Sequence, residues 1–379
     1  MAQCDPKFPY NPNPPKDWGN ILFLTLSPVL AFPVLIWYTY QTGFQWWMFG
    51  LFLTLYSLTG LSICAGYHRF YSHKSYECSW PVQFFYAVFG AMSVQNSILA
   101  WSSGHRRHHS YPETEWDPYS IKRGFWWAHI LWIFEDNSAT RDFDNVKDLQ
   151  KQPIVMWQHR WCKMIGLGFG LALPTAIGWY FGNPIAGLLW GGFLRIVMVH
   201  HSTFSINSWA HKVGAQTYDD ESTARDNWVI AFATFGEGFH SFHHRFPADF
   251  RNGVRWYNWD PAKWFITAMK WIGLASDLRI TAASTIEQTR MEVAVKKLET
   301  RIALAGPTHA EEIHRRIANA RDAFKAAMVL WKAQAEERAK GQKEQYRATY
   351  REYRERLKAA RREWQGVLQA MKQIPSPNA

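Results

Sequence analysis

Two pairs of long apolar runs, each pair joined by only a few residues, leave this 379-residue chain few folds to choose from. Residues 21–40 and 44–67 form the first pair, separated by Gln41-Thr42-Gly43. Residues 164–181 and 185–204 form the second, joined through Gly182-Asn183-Pro184. About 20 apolar residues cross a bilayer core of ~30 Å, so each pair reads as a tight hairpin of two spans, with Pro28 and Pro33 placed to bend the first helix. Neither hairpin tip carries Lys or Arg, whereas the N-terminal segment, the 68–163 stretch and the C-terminal region carry nearly all of them. By the positive-inside bias, both termini and the central stretch face the cytoplasm. The expected fold class is an all-α integral membrane protein, with four transmembrane helices in two hairpins and a cytosolic helical cap. The expected setting is a bacterial inner membrane, and no nucleic-acid partner is expected.

The mean hydropathy is mildly negative, which hides an uneven chain. Between Glu287 and Lys372 there are 20 Lys and Arg against 12 Asp and Glu, most of the net charge of +11. The expected organisation is a polar, Pro-rich segment over 1–19, a membrane domain over 20–280 and a charged helical tail over 287–373. Trp, at 22 residues, suits membrane–water boundaries. The cysteines Cys4, Cys64, Cys78 and Cys162 form no Cys-x-x-Cys pair, so a zinc ribbon or disulfide framework is not supported and a reducing compartment is expected. No cleaved signal peptide is read at the N-terminus.

In the tail, Gly306-Pro307 is a break and Thr308-x-x-Glu311 has the form of a capping box. Apolar positions Ile313, Ile317, Ala320, Phe324 and Trp331 follow. A second stripe runs Tyr346, Tyr350, Tyr353, Leu357, Ala360, Trp364, Val367 and Met371, in alternating steps of four and three. These two runs, out of phase across Gly341, read as an amphipathic helical hairpin or as a coiled coil through which the chain self-associates.

Residues 80–100 are apolar enough to be taken for a fifth span. Crossing there would put the histidines on either side of it in different compartments, so the stretch is expected to be a buried or interfacial helix. Arg195, in the middle of the fourth apolar run, is costly in a membrane. It reads either as a contact to the cap or a lipid head group, or as a snorkelling side chain.

The 15 histidines carry the chemistry. Eight lie in three clusters: His68 with His73; His105 with His108 and His109; His240 with His243 and His244. Residues three and four apart share a helix face, so the second and third clusters each offer imidazoles together. His68 and His73 are five apart, and both serve only if that helix end is irregular or if they bind different metals. Imidazole suits iron, zinc, copper and nickel. Eight imidazoles exceed one metal's needs and point to two metals. His129, His159, His200, His201, His309 and His314 stand outside the clusters and read as ordinary surface or core residues.

With these three boxes in order, the chain resembles the membrane acyl desaturases of the Δ9, stearoyl type, over residues 20–275. Asn207-Ser-Trp-Ala-His211 is similar to a further motif of that family, as are Arg225-Asp226-Asn227-Trp228 and Gly236-Glu237-Gly238-Phe239. The resemblance implies a di-iron centre held by His68, His73, His105, His108, His109, His211, His240, His243 and His244, with Asn207 joining through water. It implies that Gln95, Trp101 and Thr203 line the bend of an acyl tunnel, and that Asn96, Lys122 and Arg123 meet the head of the acyl carrier. Glu113, Glu115, Asp117 and Glu237 stand close to the boxes and are nominated to orient the imidazoles. Ser103-Gly104 departs from the Arg-Asp of the animal enzymes, which leaves the carrier open between a coenzyme A thioester, acyl carrier protein and a phospholipid.

The implied activity is O2-dependent insertion of a cis double bond into a long saturated acyl chain. No haem motif of the cytochrome b5 kind is present, so the electron donor is expected to be a separate ferredoxin-like or cytochrome b5-like protein. Two rival readings have the same clusters: a di-iron fatty acid or alkane hydroxylase, and a His-rich membrane protein for metal transport or storage.

Overall fold

The computed structural model describes residues 14–136, 143–305, 310–340 and 343–372. Residues 1–281 and 282–379 form two compact units.

In the first unit, α1 (Trp18–Thr42) and α2 (Trp46–Ser72) are both long and apolar enough to cross a membrane. Their large apolar side chains face outward: Leu22, Leu26, Ile36 and Trp37 on α1 and Phe49 and Leu53 on α2 are exposed. A water-soluble helix would turn such residues to the core. Gly43, at φ +83°, ends α1, its N–H donating to the Thr39 carbonyl. Around Pro33, α1 widens into a π-helical segment, Leu30–Val34.

After β1 (Glu77–Cys78) comes α3 (Trp80–Met92), whose 13 residues reach only about 20 Å at 1.5 Å per residue. The chain then turns through left-handed Val94 (φ +57°) and Asn96 (φ +72°) before α4 (Ile98–Ser110) begins. The apolar stretch 80–100 is therefore two helices and a turn. At that length α3 by itself is shorter than a bilayer core of ~30 Å. Both α3 and α4 pack on the end of α2. The α3 contact is close because a Cβ on Gly66 would meet Tyr86 Cγ at 2.5 Å, and one on Gly90 would meet Tyr67 at 2.2 Å. Tyr67, Tyr76 and Tyr86 are fully buried there, and the Tyr76 and Tyr86 hydroxyls are 2.7 Å apart.

The third helix able to span is α5 (Pro153–Tyr180). The expected third span, 164–181, forms its second part. Asn183 caps the next helix by accepting from the Ala186 N–H, and α6 runs unbroken over 184–208. This helix holds the expected fourth span, but Arg195, His200 and His201 make it less apolar than the other three. It packs on α1, α2 and α5. Arg195 is fully buried and reaches neither the cap nor a lipid head group. Its guanidinium donates to the carbonyls of Gly191, Met92 and Gly170 (2.9 Å to the last), so it joins α6 to the end of α3 and to the π-helical part of α5.

Short helical segments occupy 121–134 and 144–150, and after α6 come α7 (Trp228–Ala233), α8 (His240–Arg245), α9 (Pro261–Trp271) and β2 (Ala275–Ser276). β2 pairs antiparallel with β1, Glu77 opposite Ser276 and Cys78 opposite Ala275.

The second unit contains α10 (Ala283–Ala305), α11 (Ala310–Ala339) and α12 (Lys343–Lys372). The last two pack along each other, with Ile317, Ala320, Phe324 and Ala360 buried, and Tyr346, Tyr350 and Tyr353 in ring contact along α12. The tail is thus a helical hairpin. Gly306, Pro307, the capping Thr308, His309 and Gly341 lie outside the described residues.

Candidate metal centre

The last 11 residues of α2, Ser62–Ser72, are π-helical. Hydrogen bonds in such a helix run between residues five apart, and the His73 N–H donates to the His68 carbonyl at 3.1 Å. A spacing that an α-helix would splay apart is thereby brought onto one face, and the two imidazoles meet edge to face, 4.9 Å apart by ring centre. Of the two openings left by the sequence, an irregular helix end is the one observed.

Nine imidazoles converge in two groups. His68, His73, His105, His109 and His243 form one, and His108, His211, His240 and His244 the other, with ligand atoms in each group all within 4.8 Å of one another. Each of α4 and α8 serves both: His105 and His109, one turn apart, face the first group while His108 faces the second, and His240 and His244 face the second while His243 faces the first. His211 arrives on a single 3₁₀ turn, Trp209–His211, at the end of α6.

The nitrogens meet tip to tip. Nε2 separations are 3.0 Å for His68–His243, 2.9 Å for His243–His109 and 2.7 Å for His73–His105. In the second group they are 3.2 Å for His108–His244 and 3.0 Å for both His244–His240 and His240–His211. Nitrogens held about 2.1 Å from one first-row metal, at right angles, sit about 3.0 Å apart. The donor set therefore fits a metal in each group.

The outer nitrogens explain the tautomers. His68 Nδ1 lies 2.7 Å from Glu237 Oε2, His108 Nδ1 is 2.9 Å from Asp117 Oδ1, and His211 Nδ1 is 2.9 Å from Thr223 Oγ1. An N–H spent on an oxygen leaves the Nε2 lone pair directed inward, where several such lone pairs face one another. A metal cation in each group satisfies that arrangement. Burial, reinforced by the neighbouring imidazoles, holds His73, His105, His109, His240, His243 and His244 well below the usual imidazole range, and His211 falls to about 3. These rings are neutral, the form that binds metal.

A scan against protein-family models finds "Fatty acid desaturase" over residues 44–269, which takes in all nine imidazoles. The chain belongs to the fatty acid desaturase family. Among the relatives of this family member, acyl-CoA desaturase 1 of Saccharomyces cerevisiae is 38% identical over 75% of this chain and 57% of its own length. The sn-2 palmitoyl-lipid 9-desaturase of Nostoc is 36% identical over 69% of this chain and 90% of its own. Stearoyl-CoA desaturase 5 of Bos taurus is 34% identical over 71% and 82%. The chain thus spans less than two thirds of the length of the Saccharomyces cerevisiae relative, and 60% of a similar one from Schizosaccharomyces pombe.

In this desaturase-family chain, three of the four nominated carboxylates reach the imidazoles. Glu237 is fully buried. Desolvation opposes its charge, but His68 and Arg69 outweigh that and hold its carboxyl below the usual range. Asp117, also buried, accepts from the Glu113 and Tyr119 N–H groups as well. Glu113 accepts from the Thr223 N–H and lies 3.8 Å from His211 Nδ1. Glu115 is exposed and meets no imidazole among the described residues.

The tunnel candidates also come together in part. Gln95 donates to Thr203 Oγ1 at 3.0 Å, tying the turn after α3 to α6. Trp101 stacks on His105 at 5.0 Å and meets His68 edge-on. Thr203 also lines a cleft with Ile63, Cys64, Val199 and Phe235. Asn96, Lys122 and Arg123 are exposed; Lys122 is 3.5 Å from Glu113, and Arg123 lies over the Trp127 ring. Asn207, one turn before His211, makes no hydrogen bond among the described residues.

Sequence reasoning missed Arg69, Asp260, Tyr119 and Thr223. Arg69 is buried between Glu237 and Asp260, with donors 2.9 Å from each. Its place directly after His68 was the available signal. Tyr119 OH, 3.3 Å from His105 Nδ1, and Thr223 had none.

Proposed function

We propose that this chain is an O2-dependent acyl desaturase that places a cis double bond, at the ninth position, in a long saturated acyl chain. The observation that carries this reading is the convergence of nine imidazoles into groups of five and four. The names of its relatives, acyl-CoA, stearoyl-CoA and palmitoyl-lipid 9-desaturases, supply the substrate class and the position. Two irons held there would supply, from O2 and two external electrons, the oxidising power to remove two hydrogens from an unactivated alkyl chain.

The protein's own part is positioning. Glu237, Asp117 and Thr223 hold imidazole N–H groups outward and lone pairs inward. Trp101, stacked on His105, walls the space beside the first group with an apolar ring and keeps water from it. The Gln95–Thr203 hydrogen bond supports the reading that these two residues line the bend of the acyl tunnel. Asn207 completes the smaller group through water. Four spans, with both termini and the histidines on the cytoplasmic face of a bacterial inner membrane, complete the architecture. A separate ferredoxin-like or cytochrome b5-like protein brings the electrons, and the tail offers a surface for self-association.

The carrier follows less directly. Ser103 is buried and its hydroxyl is bonded to Asn145, while Gly104 presents bare backbone. Neither offers charge to an anionic head, which leaves Lys122 and Arg123 as the cationic groups for one. A membrane acyl lipid is compatible with this arrangement, as is a thioester.

Expression in a host lacking desaturases tests the proposal. Membrane fatty acids gain a cis double bond with the wild-type chain and none with His108→Ala. A hydroxylated product would establish the hydroxylase reading, and a zinc-loaded protein without any product the transport or storage reading.

A further inference from the structure

Helix α7, Trp228-Val-Ile-Ala-Phe-Ala233, has no charged residue and turns its apolar side chains outward: Trp228 is 75% exposed, Val229 56% and Phe232 63%. In water such a helix would be an unexplained apolar patch. Its level along the spans gives the explanation. The Tyr56 hydroxyl donates to the Ala233 carbonyl at 2.7 Å and lies 2.6 Å from Ser202 Oγ. Tyr56 is ten residues into α2 from Trp46, about 15 Å at 1.5 Å per residue. Ser202 is 18 residues from Pro184, about 27 Å by the same measure. Both fall short of the ~30 Å of a hydrocarbon core.

Aromatic contacts also join the segment just after α7 to the span. Rings run from Phe49 through Phe52 and Tyr56 to Phe235. A second path joins Phe232 to Trp259 at 4.8 Å and Trp259 to Trp264 at 5.3 Å, and Trp264, Trp271 and Ile272 on and after α9 are exposed beyond it. Arg255, Lys270 and the Trp residues form the mixture of cation and indole that favours a lipid head-group layer.

We propose that α7 is inserted among the acyl chains of the leaflet on the histidine side, as a short monotopic wedge, with α9 at the head-group level above it. At six residues it is too short for any hydropathy window to find. Its backbone is anchored on both sides: Asn227 caps it, accepting from the Val229 and Ile230 N–H groups, and the Ala231 carbonyl accepts from the Gly236 N–H at 2.9 Å, four residues before His240. The lipid therefore bears on the segment that sets the third histidine cluster. This inference rests on α2 being a span.

Nitroxide labels test both statements separately. Cys4, Cys78 and Cys162 are replaced by alanine, Cys64 being buried, and single labels are placed through Phe232→Cys, Val229→Cys, Leu53→Cys and Glu115→Cys in the full chain in phosphatidylcholine–phosphatidylglycerol nanodiscs. Labels at 229 and 232 are expected to collide with O2 and exclude a water-soluble nickel chelate, as the label at Leu53 does and that at Glu115 does not. Labels at 229 and 232 that admit nickel, with Leu53 protected, overturn the inference alone. Leu53 admitting nickel overturns the span reading with it.

A second measurement needs no cysteine replacement. Phe232→p-benzoylphenylalanine, irradiated in the same nanodiscs, is expected to give phospholipid adducts by mass spectrometry. Adducts only to a second copy of the chain would overturn the proposal in favour of a protein interface.

Discussion

His68 Nδ1 and Glu237 Oε2 lie 2.7 Å apart, while the other oxygen of the same carboxylate takes two donors of Arg69. One buried carboxylate thus orients an imidazole and neutralises a buried guanidinium. In Glu237→Gln neither task survives intact. Loss of a partner behind a ligand histidine costs about 10–100-fold in metal affinity or activity. The expected outcome is a protein that folds but loses iron on dialysis, measured by elemental analysis against the wild type.

The partition into five and four makes the groups separable. His211→Ala removes one of only four imidazoles in the smaller group and touches none of the five. Its iron content is expected to fall from two per chain toward one, with no desaturated product. Iron remaining at two would place His211 outside the binding set.

Arg195 should behave as a structural clamp. Arg195→Leu strips partners from three buried carbonyls. At about 1 kcal/mol each, the low end for a buried unsatisfied group, the loss is roughly 3 kcal/mol. A lower melting temperature in detergent is the expected result, and Arg195→Lys, which cannot reach all three, should recover only part of it. A melting temperature unchanged by Arg195→Leu would contradict the clamp.

Burial pushes the Asp226 carboxyl up to about 7, although it accepts from the Phe242 N–H at the start of α8. The native protein then keeps a proton that the unfolded chain has lost between about pH 4 and 7. Stability from this group falls as pH rises through that window and levels off above it. Melting temperature against pH should show that decline in the wild type and a flatter profile in Asp226→Asn.

All nine imidazoles lie in the unit formed by residues 1–281. A chain ending at 281 is expected to retain its iron and its fatty acid product. Loss of both would assign the tail a part in the centre itself.

The legibility of the site in the sequence varied with the physics of each part. Boxes two and three could be read because spacings of three and four are α-helical, and α4 and α8 are α-helices. The five-residue spacing of His68 and His73 could not be resolved without knowing that α2 ends in a π-helix. Glu115 is nearer box two in sequence than Asp117, but only Asp117 is buried against an imidazole, because the intervening turn directs it inward. Arg195 was visible as a cost, yet two of its carbonyl partners come from α3 and α5, 103 and 25 residues away along the chain, which only packing brings together.

From the order of its residues alone, this chain was committed to apolar helices in hairpins and to a surplus of imidazole near their ends, since both follow from local composition and periodicity. Whether 80–100 would be one long helix or two, which imidazoles would group together, and which carboxylates would stand behind them depended on contacts between distant segments. Those were decided by packing: the break at Val94 and Asn96, the way α4 and α8 each serve both groups, and the convergence that brings nine imidazoles to face one another.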